Sequence, residues 1–239
     1  MEGKAPFLLR FGVRVAARWL ERRYYNVPEY RAGGSLLDVG AGAGDYLAVV
    51  RALGWAAIGV EANDAAAASA RAAGLNVVTG NVAEAIAGGS VTGPYDVIRM
   101  HHVLEHVTDP VGTLRLAATA AGRGAKLCVA VPNAAGALAR LFGRYWYHWA
   151  LPFHRSHFNV KTLRELLRTT GWRPTRTFFL SAPQGLVRTV LRWLRCELGI
   201  DVTLRESTER LLGKALRPAI SLLDFLRLGD NLVVEAVKH

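Results

Sequence analysis

Between residues 35 and 131, short apolar runs alternate with stretches in which apolar residues recur at helical spacing. The runs SLLDVG (35–40), AAIGV (56–60), NVVTG (76–80), YDVIRM (95–100) and AKLCVAV (125–131) read as strands. Between them, DYLAVVRALG, DAAAASARAAG and PVGTLRLAATAAG read as helices that a closing glycine can end. Strand, helix, strand at this rhythm predicts a parallel sheet covered on both faces. An amphipathic helix over 7–25 precedes this region. After it come an aromatic-rich loop (141–158), a helix (161–170) and the strand RPTRTFFL (173–180). Two helical patterns then fill 184–228 before the final strand NLVVEAVKH (231–239), which makes 184–228 an insertion between the last two strands.

At 239 residues and 51% hydrophobic, the chain has ample material for one large core. The expected organisation is a single domain with an N-terminal helical cap (1–30), a cofactor-binding core (35–180), a helical insertion or lid (181–228) and a last strand (229–239). The N-terminal stretch KAPFLLRFGVRVAARWLERR is broken by Arg10, Arg14 and Arg18, so neither a signal core nor a membrane span fits, and a cytoplasmic location is expected. Cys128 and Cys196 match no metal or disulfide spacing and are expected to be buried thiols in a reducing compartment. A net charge of +11 admits nucleic acid, an anionic membrane surface or an acidic substrate as partner. The excess is spread through the chain as arginine rather than gathered in a block, which also fits a generally basic surface.

In LLDVGAGAGDYL the first strand enters a turn with glycines at 40, 42 and 44 and leaves into a helix. Glycines let the backbone approach a ligand closely, and a helix N-terminus attracts an anion. The spacing departs from the dinucleotide fingerprint, and Asp38 lies two residues before the first glycine. A carboxylate there repels a pyrophosphate and suits an ammonium group. Glu61, which closes the second run as IGVEAND, is placed to accept both hydroxyls of a ribose. Carboxylate, ammonium, ribose and adenine together describe S-adenosylmethionine.

The motifs LLDVGAGAG, IGVEAND, VVTGNVAEA, YDVIRMHHVLEHVTDP and FHRSHFNVKTLRELLRTTGW resemble, in the same order, those of the class I S-adenosylmethionine-dependent methyltransferases. The similar branch includes the ubiquinone-biosynthesis O-methyltransferases and many sugar and natural-product methyltransferases. The resemblance spans about residues 35–172, with the last strand also fitting. It implies an α/β, Rossmann-like, doubly wound fold: a mostly parallel seven-stranded sheet with an antiparallel last strand and a helical insertion. It also implies S-adenosylmethionine as cofactor and S-adenosylhomocysteine as product. By position, Asp38, Gly40, Ala41, Gly42 and Gly44 would hold the methionine moiety and Glu61 the ribose. Ala62, Asn63, Asn81, Val82, Met100 and His101 would complete the cofactor pocket. Asn81 stands where the family often has aspartate, and it reads equally well as a helix cap.

The histidine-rich stretch RMHHVLEHVTDP then falls at the C-terminal end of the fourth strand, the edge where open α/β sheets bind ligands. Methyl transfer to a hydroxyl needs a proton acceptor, and histidine titrates near neutrality. His102, His157 and His106 are the catalytic candidates. The resemblance carries an alternative, because related quinone enzymes have E-x-x-E-H here and bind a divalent metal. In this chain His102 replaces the first glutamate, which leaves Glu105 and His106, with His154 and His157 later, as ligands better suited to zinc than to magnesium. Metal dependence stays open between that reading and no metal, with Glu105 and His106 in a capping role. Tyr145, Trp146, Trp149 and His154, in or beside the run RYWYHWALPF, are expected to wall the acceptor pocket.

The function expected is methyl transfer to a small-molecule acceptor, a hydroxyl of a sugar, natural product or quinone-like compound. Rival readings are a membrane-surface lipid or quinone methyltransferase, drawn from apolar stripes set against arginines, and a non-catalytic S-adenosylmethionine-binding module. A nucleic-acid partner is disfavoured because no aromatic and basic single-strand platform is apparent.

Overall fold

The structure, a computed structural model, describes residues 32–239. The expected helix at 7–25 and the 1–30 cap lie outside the described residues. Seven strands form one sheet: β1 (Ser35–Val39), β2 (Ala56–Glu61), β3 (Val77–Thr79), β4 (Tyr95–His101), β5 (Ala121–Pro132), β6 (Trp172–Phe179) and β7 (Asn231–Lys238). Their order is β3-β2-β1-β4-β5-β7-β6, with β7 antiparallel to both neighbours and the remaining pairs parallel. The expected doubly wound sheet with an antiparallel last strand is therefore present.

The crossovers α1 (Asp45–Ala52), α2 (Asp64–Ala72) and α4 (Pro110–Ala120) fall where the apolar periodicity put them. Each buries its apolar stripe, through Tyr46, Leu47 and Val50 on α1 and Leu114 and Ala117 on α4. Two further helices were not anticipated: α3 (Val82–Ala87), and α5 (Ala137–Phe142), which leads into 3₁₀ turns at Gly143–Tyr145 and Tyr147–Trp149. Helices that short carry too little periodicity to stand out from loop. After α6 (Val160–Thr169), with its Asn159 and Thr162 capping box, the insertion forms two helices, α7 (Pro183–Leu198) and α8 (Glu206–Phe225). Both cysteines depart from expectation, Cys128 being only partly buried and Cys196 exposed on α7.

The main core lies beneath the sheet centre, from Leu37 and Ile98 to Leu127 and Trp172, and a second cluster of Leu36, Tyr46, Leu47 and Trp55 fills the space under α1. Strand order reverses between β1 and β4. The loops leaving their C-terminal ends part there, opening the crevice where such sheets take ligands.

Candidate active site

The glycine turn after β1 is held by its own backbone. The Gly40 and Ala41 amides donate to the Val60 carbonyl, and the Gly44 amide to Ala41. The Gly42 amide donates to Glu61 Oε2 at 2.8 Å, while Glu61 Oε1 accepts from the Asn63 amide at 2.8 Å. Glu61 thus ties the end of β2 to the turn. Gly40 has φ +75°, and a Cβ there would run into Val103, so only glycine lets the histidine stretch close over the turn. Gly42 has φ +56° with open space beside it, as a backbone that must meet a ligand requires.

Asp38 is register partner to Arg99 on β4 and accepts its guanidinium at 2.8 Å, both side chains being buried. Arg99 also lies over the Tyr46 ring, 4.0 Å from its centroid. Asp38 Oδ2 is buried with no hydrogen-bond partner. Burial outweighs the opposing pull of Arg99 and pushes this carboxyl up to about 6. Arg99 is not among the residues the motifs point to, although an arginine inside an apolar strand with an aspartate in the neighbouring strand is a usable signal.

The residues expected around the cofactor divide between core and surface. Met100 is fully buried in the main core, because alternation along β4 turns it inward between His101 and Arg99. The side chains of Val82 and Ala41 are also packed in the core clusters. Asn81 caps α3 by accepting from the Glu84 amide, and Asn63 caps α2 in the same way. Ala62, Asn63 and Asn81 remain exposed at the ends of β2 and β3.

At the end of β4, His101 is largely withdrawn from water, and burial, with Arg99 and His102 adding, pushes its pKa down to about 2. It is a neutral ring at physiological pH. His102 follows with φ +55°, its amide donating to Ala130 and its Nδ1 lying 2.9 Å from Glu105 Oε1. Glu105 is buried, and its Oε2 has no hydrogen-bond partner. The Glu105 carbonyl accepts the amides of Arg155 and Ser156, which folds the later histidines back onto this point.

The histidines then divide. His106 Nδ1 pairs with the Phe153 carbonyl at 3.1 Å and His154 Nδ1 with the His148 carbonyl at 2.8 Å. Their rings meet edge to face at 4.6 Å. Glu105, His106 and His154 each offer a ligating atom within 4.8 Å of the others. Nδ1–H donation to the carbonyls leaves Nε2 as the ligand in each ring, the usual way a protein fixes metal-binding histidines. Burial lowers the pKa of His154, which keeps it neutral and able to ligate. Neither His102, turned onto Glu105, nor His157, whose Nε2 pairs with the Trp149 carbonyl at 3.1 Å, belongs to this group. One carboxylate and two imidazoles fit a borderline transition metal better than magnesium.

The aromatic segment splits too. Trp146 is fully buried, its indole N–H donating to Asp230, so it anchors the segment and is not an acceptor wall. Tyr145 is half-buried under the Arg144 side chain. Trp149 lies against the His157 ring at 4.7 Å and borders an open surface depression with the exposed residues Gly143, Arg144, Leu151 and Arg192.

The known proteins that this chain is similar to are methyltransferases. The methyltransferase domain family matches residues 10–177. Ubiquinone biosynthesis O-methyltransferase of Caulobacter vibrioides is 33% identical over 129 residues, so the chain spans about half the length of this curated relative, and half of the chain is covered. Among solved structures, an S-adenosylmethionine-dependent methyltransferase from Archaeoglobus fulgidus superposes with a TM-score of 0.62 at 20% identity, covering 98% of this chain and 100% of that one. Magnesium protoporphyrin IX methyltransferase from Synechocystis, with bound S-adenosylhomocysteine, gives 0.55 at 14% identity, covering 100% and 90%. The chain belongs to the methyltransferase domain family and has the fold of the S-adenosylmethionine-dependent methyltransferases it superposes on.

Proposed function

We propose that the chain methylates a hydroxyl oxygen of a small molecule, a sugar, natural product or quinone-like compound. The observation that carries this is the pair formed by His102 and buried Glu105 at the sheet's switch point. When bound, S-adenosylmethionine supplies an electrophilic methyl carbon on a sulfonium. The Gly40–Gly44 turn, Asp38 and Glu61 would hold it, and the orphaned Asp38 Oδ2 offers an acceptor that would suit its ammonium group. Glu105 takes the Nδ1–H of His102, which leaves the Nε2 lone pair to receive the acceptor's proton. Holding the acceptor oxygen in line and taking its proton is the contribution these side chains would make to the transfer.

A metal suits the adjacent cluster of Glu105, His106 and His154 and would supply Lewis acidity toward the acceptor oxygen. His157, braced against Trp149, positions the acceptor.

The test is turnover of His102→Asn and His102→Ala across a panel of hydroxylated acceptors. Loss of a positioned base lowers the rate by a factor of about 100 to 10,000. Calorimetric binding of S-adenosylhomocysteine stays unchanged. Full turnover in both variants overturns the assignment. Loss of activity with a chelator and its return with one metal supports the cluster as a metal site; indifference to chelation leaves it a structural cap.

A second reading concerns where the enzyme works. The insertion exposes Leu198, Ile200, Leu211, Leu222, Phe225 and Leu226 among arginines, as a helix lying on an anionic membrane does. Among the described residues no helix is long and apolar enough to cross a membrane. Vesicle flotation tests this reading.

A further inference from the structure

Arg99 and Asp38 meet from neighbouring strands at the point where strand order reverses. Alternation along the strands turns both side chains to the α1 side of the sheet, where Leu36, Val97 and Tyr46 pack. Asp38 is fully buried there and Arg99 is 6% exposed. The guanidinium donates to Asp38 Oδ1 at 2.8 Å and rests on the Tyr46 ring in the first turn of α1. A pair that served packing alone would satisfy both carboxylate oxygens, since the guanidinium fork matches a carboxylate through two parallel bonds. Here a single bond leaves Oδ2 buried and without a partner. The glycine turn does not fill that place, because its Gly40, Ala41, Gly42 and Gly44 amides go to Val60, Glu61 and Ala41.

A carboxylate withdrawn from water favours its protonated form, and a neutral acid does not pair with an ammonium group as a charge does. The ionisable groups around Asp38 are Arg99 on β4, Glu61 at the end of β2 and Tyr46 on α1, with Cys128 beyond Arg99 on β5. Among them Arg99 alone carries positive charge, and Glu61 works the other way.

We infer that Arg99 is a positioning residue of the cofactor site: without touching the cofactor, it keeps Asp38 ionised through Oδ1 and leaves Oδ2 free for the ammonium group of S-adenosylmethionine. The inference rests on the reading of Asp38 as the partner of that ammonium. The probes are S-adenosylhomocysteine, which carries the ammonium group, and 5′-methylthioadenosine, which keeps the adenosine and the sulfur and lacks the amino acid. Arg99→Gln retains an N–H donor toward Asp38 without the charge. Calorimetry near neutral pH is expected to show this variant binding S-adenosylhomocysteine about tenfold more weakly than the parent, the usual difference between a charge-assisted and a neutral bond. It should bind 5′-methylthioadenosine as the parent does. Arg99→Lys, which returns the cation, should recover most of the loss. Because Arg99 acts through Asp38, the double variant Asp38→Asn, Arg99→Gln should bind S-adenosylhomocysteine no more weakly than Asp38→Asn alone. That variant and Arg99→Lys carry the test if Arg99→Gln does not fold. Equal weakening of both ligands in Arg99→Gln, an Arg99→Lys variant far weaker than the parent, or a double variant weaker than Asp38→Asn overturns the inference. If Arg99→Gln binds like the parent while Asp38→Asn is weak, the role of Arg99 falls alone; if Asp38→Asn also binds like the parent, the ammonium contact falls with it.

Discussion

His102 occupies a left-handed backbone conformation that side-chain-bearing residues seldom adopt, at a cost of about 1–3 kcal/mol. Its amide still closes onto Ala130, so the chain turns sharply out of the sheet and delivers the ring to Glu105. Asparagine tolerates the same conformation, which makes His102→Asn the cleaner test of chemistry. Asp38 yields a separate prediction. Its folded pKa of about 6 lies above that of an exposed aspartate, so the stability it contributes is present below about pH 4 and is lost as pH rises through 6. An ammonium group binds the carboxylate form. Affinity for S-adenosylmethionine should therefore rise between pH 5 and pH 7, with a midpoint near 6, and an Asp38→Asn variant should bind more weakly with a flat profile. Calorimetry across that range decides it, and a parent profile as flat as the variant's rules out the contact.

Among the elements, what could be read from sequence depended on distance along the chain. The crossover helices, the turn after β1 and the position of Glu61 at the end of β2 are local patterns, and the structure has each element where the pattern puts it. The grouping of Glu105 and His106 with His154 was half legible: the residues stood out, but their meeting depends on Arg155 and Ser156 bonding to the Glu105 carbonyl across some fifty residues. Trp146 was misread because aromatic density shows that rings will pack, not on what. Its partner Asp230 lies 84 residues away, and Asp230 also meets His148 Nε2 at 3.2 Å. This knot pins the 3₁₀ segment against α7, where the Tyr147 amide reaches Thr189. Trp146→Phe keeps the ring but leaves a buried carboxylate short of a donor, at a cost of about 1.5–3 kcal/mol. Urea denaturation should show that loss with little change in slope; a loss below about 0.5 kcal/mol would mean the bond is not what anchors the segment.

At the scale of the whole molecule the sheet divides its labour. On the proposed reading, the β1, β2 and β3 ends would present the cofactor groups, while β5, the aromatic segment and the helices between β6 and β7 would build the acceptor side. That second half carries most of the large exposed apolar side chains. On α8, Leu211, Leu222 and Phe225 fall within an arc of roughly 60° at about 100° per residue. Leu222 is 57% and Phe225 82% exposed, with Lys214 on an adjacent row. An exposed apolar stripe on a chain of net charge +11 suits the surface of an anionic bilayer, where each basic residue near the headgroups adds about 1 kcal/mol and salt screens the gain. The expected result is flotation with phosphatidylglycerol vesicles at low salt, weak flotation at about 0.5 M salt, and little with phosphatidylcholine. Because both side chains face solvent, the double variant Leu222→Asp, Phe225→Asp should keep its fold and its S-adenosylhomocysteine affinity while losing most of its flotation. If the parent stays unbound at low salt, or the double variant floats as well as the parent, α8 does not dock on a membrane.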